Sequence, residues 1–347
     1  MQHIAIDLGG RESRICVRDA EGKILQEQWW ATARLSNYLK RQPVSRVVME
    51  TSSEAFAIAD VAVQLGHEVR IVPATLVTSL RVGSRGVKTD KKDAQVLSEV
   101  SCRINLPSVH LPSPASREWK ALCGTRECLV QARTKLINNV RGWLRTQVVH
   151  LRSGDVSTFA SRVRVRLLSQ PAGMPMYIER QLYGIEELNR QIREADKDLA
   201  QTAACEPRCQ NLMTVPGIGP VTALRFLAAV DDVTRFHGAH ALQSYLGLAP
   251  GEHSSSTRQR TTAITKAGSL PVRWLLVQAA WCALRTRRKD PMVQWAHEVA
   301  KRRDRQVAAV ALSRKLAGIL YAILRDGTRY QSRCGAQAAA AATDPSC

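Results

Sequence analysis

The stretch HIAIDLGGRESRICVRDAEGKILQEQWW (residues 3–30) decides the fold of the first part of the chain. It holds three short, apolar-rich runs, at residues 3–8, 14–19 and 24–29. Gly9-Gly10 and Glu21-Gly22 separate these runs, which therefore predict three short strands joined by tight turns. Asp7 stands at the end of the first predicted strand.

The residues that follow predict a strand at 46–50, a helix at 55–65 and another strand at 68–72. Gly66 separates that helix from the last strand. Three antiparallel strands followed by strand, helix and strand is the element order of an RNase H-like α/β domain. Strands in such a domain carry acidic residues at their ends, facing one cleft.

Beyond Pro107, Pro112 and Pro114 the pattern becomes that of long helices. Apolar residues recur every seven positions in two stretches: Leu122, Leu129, Leu136 and Trp143 with Cys123, Val130, Ile137 and Leu144, and then Ile178, Ile185, Ile192 and Leu199. The repeat favours an antiparallel helix pair or a dimerising coiled coil, and two amphipathic helices on a globular core are the alternative. We predict an α/β domain at 1–106, a helical coiled-coil connector at 107–205, a mainly α domain at 206–330 and a disordered tail at 331–347.

The charge balance indicates the class of partner. Lys and Arg total 50 against 30 Asp and Glu, a formal net charge of +20. Such an excess is typical of proteins that neutralise phosphates. A basic protein kept soluble by its charge, or one at an acidic membrane surface, is the alternative. We expect no membrane span, no signal peptide and a cytoplasmic location. The nine cysteines lack zinc-site spacing and predict no disulfide framework.

Four acids have the setting of a metal site. Asp7 and Glu50 end predicted strands, and Asp90 and Asp93 lie three residues apart at the start of a predicted helix. Carboxylates are the ligands that Mg²⁺ prefers, and four of them can hold two ions for phosphoryl transfer. The DLGG turn is also found in actin-like ATPases and sugar kinases, but the further phosphate and adenosine motifs of those proteins are missing from this sequence.

Two later segments predict nucleic-acid contacts. Gly217 and Gly219 lie in a PGIG turn between two predicted helices, which is typical of a helix-hairpin-helix; a turn that only packs is the alternative. Gly247, Pro250 and Gly251 then mark a loop that contains Ser254, Ser255, Ser256 and Thr257. Four basic residues follow this loop and predict phosphate contacts: Arg258, Arg260, Lys266 and Arg273.

The ordered motifs IDLG, METS, KTDKKDAQVL, PGIGPVTA and GLAP…SSS…ITKAG…R resemble the DEDD-type insertion-sequence transposases. That group includes Piv-like DNA invertases and recombinases guided by a bridge RNA. The resemblance implies a RuvC-like domain whose four metal-binding acids are Asp7, Glu50, Asp90 and Asp93. It also implies a C-terminal transposase domain whose serine attacks DNA, here Ser255, with Ser254 and Ser256 as alternatives.

The sequence departs from this family at two points. Ser255-Ser256-Thr257 stands where Ser-Gly-Gly is usual, and Gly10 stands where a Lys often follows the first motif. Neither departure removes a predicted catalytic group. The resemblance further implies a dimer or tetramer in which different subunits complete one site.

We therefore predict a Mg²⁺-dependent transposase that cuts and rejoins DNA through a transient phosphoserine link, with a structured RNA as guide. Two alternatives remain open at this point. One is a RuvC-like junction nuclease that uses water as the nucleophile, and the other is a non-catalytic nucleic-acid-binding protein.

Overall fold

The computed structural model describes residues 1–76, 90–168, 173–255 and 258–332, with the backbone alone at 90–92, 252–255 and 258–262. The chain divides into two compact units, residues 1–112 and 113–347. The first unit is mixed α/β and the second is mainly helical, as the sequence predicts. The finer division into a separate connector and C-terminal domain stays a prediction, and most of the predicted tail, 333–347, lies outside the described residues.

A five-stranded sheet forms the centre of the first unit. Its strands are β1 (Gln2–Asp7), β2 (Glu12–Arg18), β3 (Ile24–Ala31), β4 (Ser45–Glu50) and β5 (Glu68–Val72). They lie in the order β3-β2-β1-β4-β5. The first three are antiparallel neighbours, whereas β4 is parallel to β1 and β5 is parallel to β4. This topology is consistent with the predicted RNase H-like domain.

Helices cover both faces of this sheet. They are α1 (Leu35–Leu39), α2 (Ala55–Gln64) and α3 (Asp90–Arg103). Ile4, Ile6 and Met49 pack in one apolar cluster with residues of α1 and α2. Ala5 and Val48 face the other way and pack with Leu97 of α3. Successive strand residues point to opposite faces, and helices cover both faces, so both sides of β1 and β4 are buried. The acids at the ends of these strands lie at one edge of the sheet.

The second unit is built on long helices. These are α4 (Pro114–Thr146), α5 (Phe159–Leu168), α6 (Met176–Cys205), α7 (Pro207–Met213), α8 (Pro220–Val230), α9 (Ala239–Tyr245), α10 (Leu270–Thr286), α11 (Pro291–Arg302) and α12 (Arg305–Asp326). Asp231, directly after α8, accepts hydrogen bonds from the backbone N–H and the hydroxyl of Ser113. Its negative charge therefore lies at the start of α4, where a helix dipole favours an anion.

The two predicted heptad helices, α4 and α6, pack against each other within the chain. Ile178, Ile185, Ile192 and Leu199, the predicted heptad positions of α6, are all buried. Ile137 and Leu144 of α4 are buried as well. Dimerisation through a coiled coil stays a prediction. Helix α5 was not predicted from the sequence; its Phe159 and Val163 complete the core at one end of the pair.

One helix of the described residues, α12, has the length and apolar composition of a membrane span. Leu312, Leu316 and Leu320 of this helix are completely buried in the apolar core of the second unit. Arg314 and Lys315 interrupt its apolar sequence. These features are those of the central core helix of a globular unit.

The predicted serine loop is instead a β-hairpin, and this expectation was wrong. Strand β6 (Pro250–Ser255) pairs antiparallel with β7 (Arg258–Ile264). The connecting residues 256 and 257 lie outside the described residues. Polar strands of this kind lack the apolar alternation by which a strand is recognised, although Thr261 and Thr262 have the β-branched side chains that favour one.

Candidate active site

Three of the four predicted acids line one pocket in the first unit. Asp7, Glu50 and Asp93 surround a cavity of about 290 Å³, together with Glu12 and Ser52. Asp7 and Glu50 are partly exposed there, whereas Asp93 is only 6% exposed. The side chain of Asp90, the fourth acid, lies outside the described residues, and its backbone begins α3.

The sheet register explains why these acids share a pocket. Ile6 of β1 is paired with Met49 of β4, so the next residue of each parallel strand, Asp7 and Glu50, follows at the same edge. Helix α3 packs on β1 and β2 and carries Asp93 to the same face. Residues about forty positions apart in the chain therefore meet because both strands end there.

The turn after β1 is held by its neighbours. The Thr32 hydroxyl donates to the carbonyl of Gly9 at 2.6 Å, and the Thr32 N–H donates to the carbonyl of Arg11 at 2.9 Å. A Cβ at Gly9 would overlap the carbonyl oxygen of Glu12, whereas one at Gly10 would meet open space. Gly9 is thus required by a close backbone approach that brings Glu12 to the pocket.

The donor chemistry of this pocket fits a hard divalent cation. Its charged lining is carboxylate, and the hydroxyl oxygen of Ser52 is buried with no hydrogen-bond partner among the described residues. An oxygen without a partner at a polar pocket suits a water or ion ligand. In the described part of the chain no three acidic, histidine or cysteine side chains are close enough to share one ion. The acids line a common pocket without forming a closed cluster.

Sequence reasoning missed three residues of this pocket: Glu12, Trp29 and Ser52. Glu12 begins β2 and Trp29 lies on β3. Only the pairing of β1, β2 and β3 brings them to the strand ends, and nothing in the sequence marks that register. The Thr51-Ser52 pair directly after Glu50 was the one available signal.

The predicted nucleophile lies on the hairpin of the second unit. Ser255 is paired with Arg258, Ser254 with Gln259, and His253 with Arg260. The side chains of Ser255, Arg258 and Arg260 lie outside the described residues, as does all of Ser256. The backbone register nonetheless puts the serine strand directly beside a strand that carries two arginines.

Main-chain contacts fix the base of this hairpin. The N–H of Thr265 donates to the carbonyl of Ala249 at 2.9 Å, and that of Lys266 donates to Gly247 at 3.1 Å. Gly247 has a φ of +69° and Gly268 a φ of +145°, both in the region that favours glycine. Lys266 itself has a φ of +58° and is exposed, as a phosphate-binding side chain needs to be.

Arg273 has a different environment from the one expected. It is only 8% exposed, and its Nη1 donates to the carbonyl of Leu246 at 3.1 Å. A guanidinium that is buried and bonded to the main chain is not presented to a phosphate. Its place argues against the predicted DNA contact and for a role in holding the 246–247 turn beneath the hairpin.

The PGIG turn lies between α7 and α8, where a helix-hairpin-helix was predicted. Gly217 has a φ of +85°, and a Cβ there would overlap the carbonyl oxygen of Ala279 in α10. Packing on α10 therefore accounts for this glycine without a ligand. Gly219 precedes the first turn of α8, and a Cβ there would meet open space. Phosphate binding by this turn stays a prediction.

The described cysteines are all free thiols. Burial raises the pKa of Cys123 to about 11 and that of Cys209 to about 12. Such thiols stay protonated near neutral pH, so neither is a ready nucleophile or metal ligand.

Two sequence profiles of transposases match the chain. One, of the DEDD transposases of the IS110 type, matches residues 4–148, and one described as "Transposase IS116/IS110/IS902 family" matches residues 209–296. The transposase for insertion sequence element IS1111A of Coxiella burnetii is 29% identical, over 96% of this chain and 92% of the relative. A "Probable family 20 transposase" of Pseudomonas aeruginosa is 28% identical, over 95% of this chain and 99% of the relative.

The mixed α/β unit with its acidic pocket and the helical second unit thus belong to a DNA-acting enzyme of the DEDD class. The chain carries the two domains of the IS110/IS116/IS902 insertion-sequence transposases. Transposases act on DNA, and DEDD transposase domains typically use a divalent metal ion.

Proposed function

We propose that this transposase cuts and rejoins the strands of DNA at the ends of its element through a transient phosphoserine link, in the cytoplasm. The observation that carries the proposal is the convergence of Asp7, Glu50 and Asp93 on one pocket. Asp7, Glu50, Asp90 and Asp93 would hold Mg²⁺ ions. A bound Mg²⁺ ion supplies stabilisation of negative charge on the phosphate that reacts.

The covalent step balances without an external energy source. The hydroxyl oxygen of Ser255 forms a bond to phosphorus, and the bond between phosphorus and one deoxyribose oxygen breaks. The serine loses its proton and the displaced oxygen gains one. In the second step the hydroxyl oxygen of another strand end forms a bond to phosphorus, and the bond between phosphorus and the Ser255 oxygen breaks. The attacking hydroxyl loses its proton and Ser255 regains one. The backbone pairing of Ser255 with Arg258 supports this role, because an arginine on the adjacent strand can stabilise charge that develops on the phosphate.

We extend the proposal to the partners of the enzyme. A structured guide RNA and a dimer or tetramer are part of it. The net charge of +20 supports binding to more than one nucleic-acid strand. RNA extracted from the purified protein and then sequenced tests the first point, and light scattering tests the second.

An assay of element excision and insertion in cells tests the catalytic proposal. We expect Asp7→Asn and Ser255→Ala each to reduce recombination by about a hundredfold or more, because each removes a group that acts in the transition state. Glu21→Gln, an exposed acid in the turn between β2 and β3, is the matched control. Full recombination by Asp7→Asn would contradict the metal site. Full recombination by Ser255→Ala, Ser254→Ala and Ser256→Ala would contradict the serine mechanism and favour water as the nucleophile.

A further inference from the structure

We propose that Trp29 is a stacking platform for an unpaired nucleobase beside the acidic pocket. The inference rests on the proposed function, in which a nucleic-acid strand lies over Asp7 and Glu50. It assigns to the pocket a second subsite, which takes the flat face of a base rather than a phosphate.

The sheet register puts Trp29 in line with the acids. Asp7 of β1 is paired with Arg14 of β2, and Arg14 is paired with Trp29 of β3. Directly opposed residues lie on the same face of a sheet, and neighbouring strands are about 4.8 Å apart. Trp29 is therefore about 10 Å from Asp7 across two strand spacings. The base of a nucleotide at or next to the bound phosphate spans such a distance.

The fold leaves much of Trp29 uncovered. Trp29 is 49% exposed and lines the pocket. Its neighbour Trp30, on the opposite face, is used by the fold. The indole N–H of Trp30 donates to the carbonyl of Arg34 at 3.0 Å, and its ring lies 5.3 Å from that of Tyr38. Trp30 thus has an internal packing role, whereas the exposed surface of Trp29 is available to a ligand.

The contacts of Trp29 hold its ring in place. The guanidinium of Arg14 lies 5.4 Å from the ring centroid and forms a salt bridge with Glu27 at 3.5 Å. Glu27 in turn accepts a hydrogen bond from Gln95 of α3. A cation–π contact and an ion pair restrain the indole before any ligand arrives, which lowers the entropic cost of stacking.

The chemistry of the pocket favours a base over an apolar protein side chain. Most of the lining is polar, including Glu12, Glu50, Thr51 and Ser52. A purely apolar group would leave the buried hydroxyl of Ser52 without a partner and the carboxylates facing no polar group, whereas a base offers a flat face to Trp29 and polar edges to its neighbours. Stacking of this kind tolerates every base, so it serves to hold a strand and not to read its sequence.

Equilibrium binding of labelled oligonucleotides to the full chain tests this inference. We expect Trp29→Ala to weaken binding of single-stranded DNA by about 5- to 100-fold and Trp29→Phe to retain most of it. Binding of fully paired duplex is expected to be unchanged, because its bases are already stacked. Trp295→Ala is the matched control, since Trp295 is 38% exposed and also contacts a cation, Lys315, at 4.3 Å, but lies in the second unit.

Two further arms make the outcome decisive. Oligonucleotides that carry 5-iodouracil are expected to crosslink to Trp29, as read by mass spectrometry of the peptides. An RNA strand of the same sequence shows whether the base comes from DNA or RNA. Equal single-strand affinities of Trp29→Ala and Trp295→Ala, with no crosslink at Trp29, would overturn the proposal. Loss of duplex binding as well would mean that the residue supports the fold.

Failure of the catalytic proposal gives a different result. Binding is measured without a divalent ion, so it does not depend on cleavage. If Asp7→Asn retains recombination while Trp29→Ala still loses single-strand affinity, the metal site is wrong and the stacking site stands.

Discussion

The acidic pocket and the serine hairpin are built in different ways. The pocket is made by sheet register, since Asp7 and Glu50 end adjacent parallel strands whose apolar residues are completely buried. The base of the hairpin is formed by two turns, one at Gly247 and one at Thr265–Lys266, which are joined by main-chain hydrogen bonds. The buried core of the sheet therefore positions the acids, whereas a few backbone angles position the serine.

Glycine has a different part in each region. At the hairpin, Gly247 combines a positive φ with close contacts: a Cβ there would lie 2.8 Å from both the Ala267 carbonyl oxygen and the Arg273 guanidinium. At the pocket, Gly9 has only the close approach to Glu12 and no positive φ. The hairpin is therefore expected to be more sensitive to a single added methyl group.

The largest effect is expected for Gly247→Ala. The strained φ costs about 1–3 kcal/mol, and the contacts require the turn or Arg273 to move, so the melting temperature and strand exchange should both fall. Gly238→Ala is the control, because Gly238 has extended backbone at a φ of 173° and open space at its Cβ position. Identical melting temperatures and recombination rates for the two variants would contradict the proposed sensitivity of the hairpin to an added methyl group at Gly247.

A smaller effect is expected for Gly9→Ala. A Cβ at Gly9 would overlap the carbonyl oxygen of Glu12, so the turn after β1 must shift, at a cost of about 1–3 kcal/mol from overpacking without backbone strain. Binding of Mg²⁺, measured by calorimetry, should weaken, while the backbone of the hairpin is unaffected. Gly10→Ala, with open space at its Cβ position, is the control. A larger loss of stability for Gly9→Ala than for Gly247→Ala would reverse the comparison.

The strands of the first unit could be predicted from sequence because each contains a short run of apolar residues that is buried in the sheet. The strand predicted at 68–72 is β5, and the one predicted at 24–29 extends to Ala31 in β3. The core residues could be predicted for the same reason, since Ile4 and Ile6 alternate with Ala5 on two covered faces of the sheet. The convergence of Asp7, Glu50 and Asp93 on one pocket followed from these elements.

What could not be predicted depends on pairing and on packing between distant residues. The register that aligns Trp29 with Asp7 has no local signal, and neither does the hairpin made by two polar strands. Arg273 was predicted to contact phosphate because it is one of the basic residues that follow the serine-rich segment. Arg273 is instead buried and donates to the carbonyl of Leu246, which lies 27 residues earlier in the chain. No local pattern in the sequence predicts that contact.

The most direct test of the account is to trap the covalent intermediate on DNA that carries an end of the element. With Mg²⁺ present, the wild-type chain should form a protein–DNA adduct that survives boiling in detergent, and mass spectrometry of its peptides should find the nucleotide on Ser255. Ser255→Ala and Asp7→Asn should each form none. Cleaved DNA without any adduct, or an adduct that persists in both variants, would contradict the proposed phosphoserine mechanism.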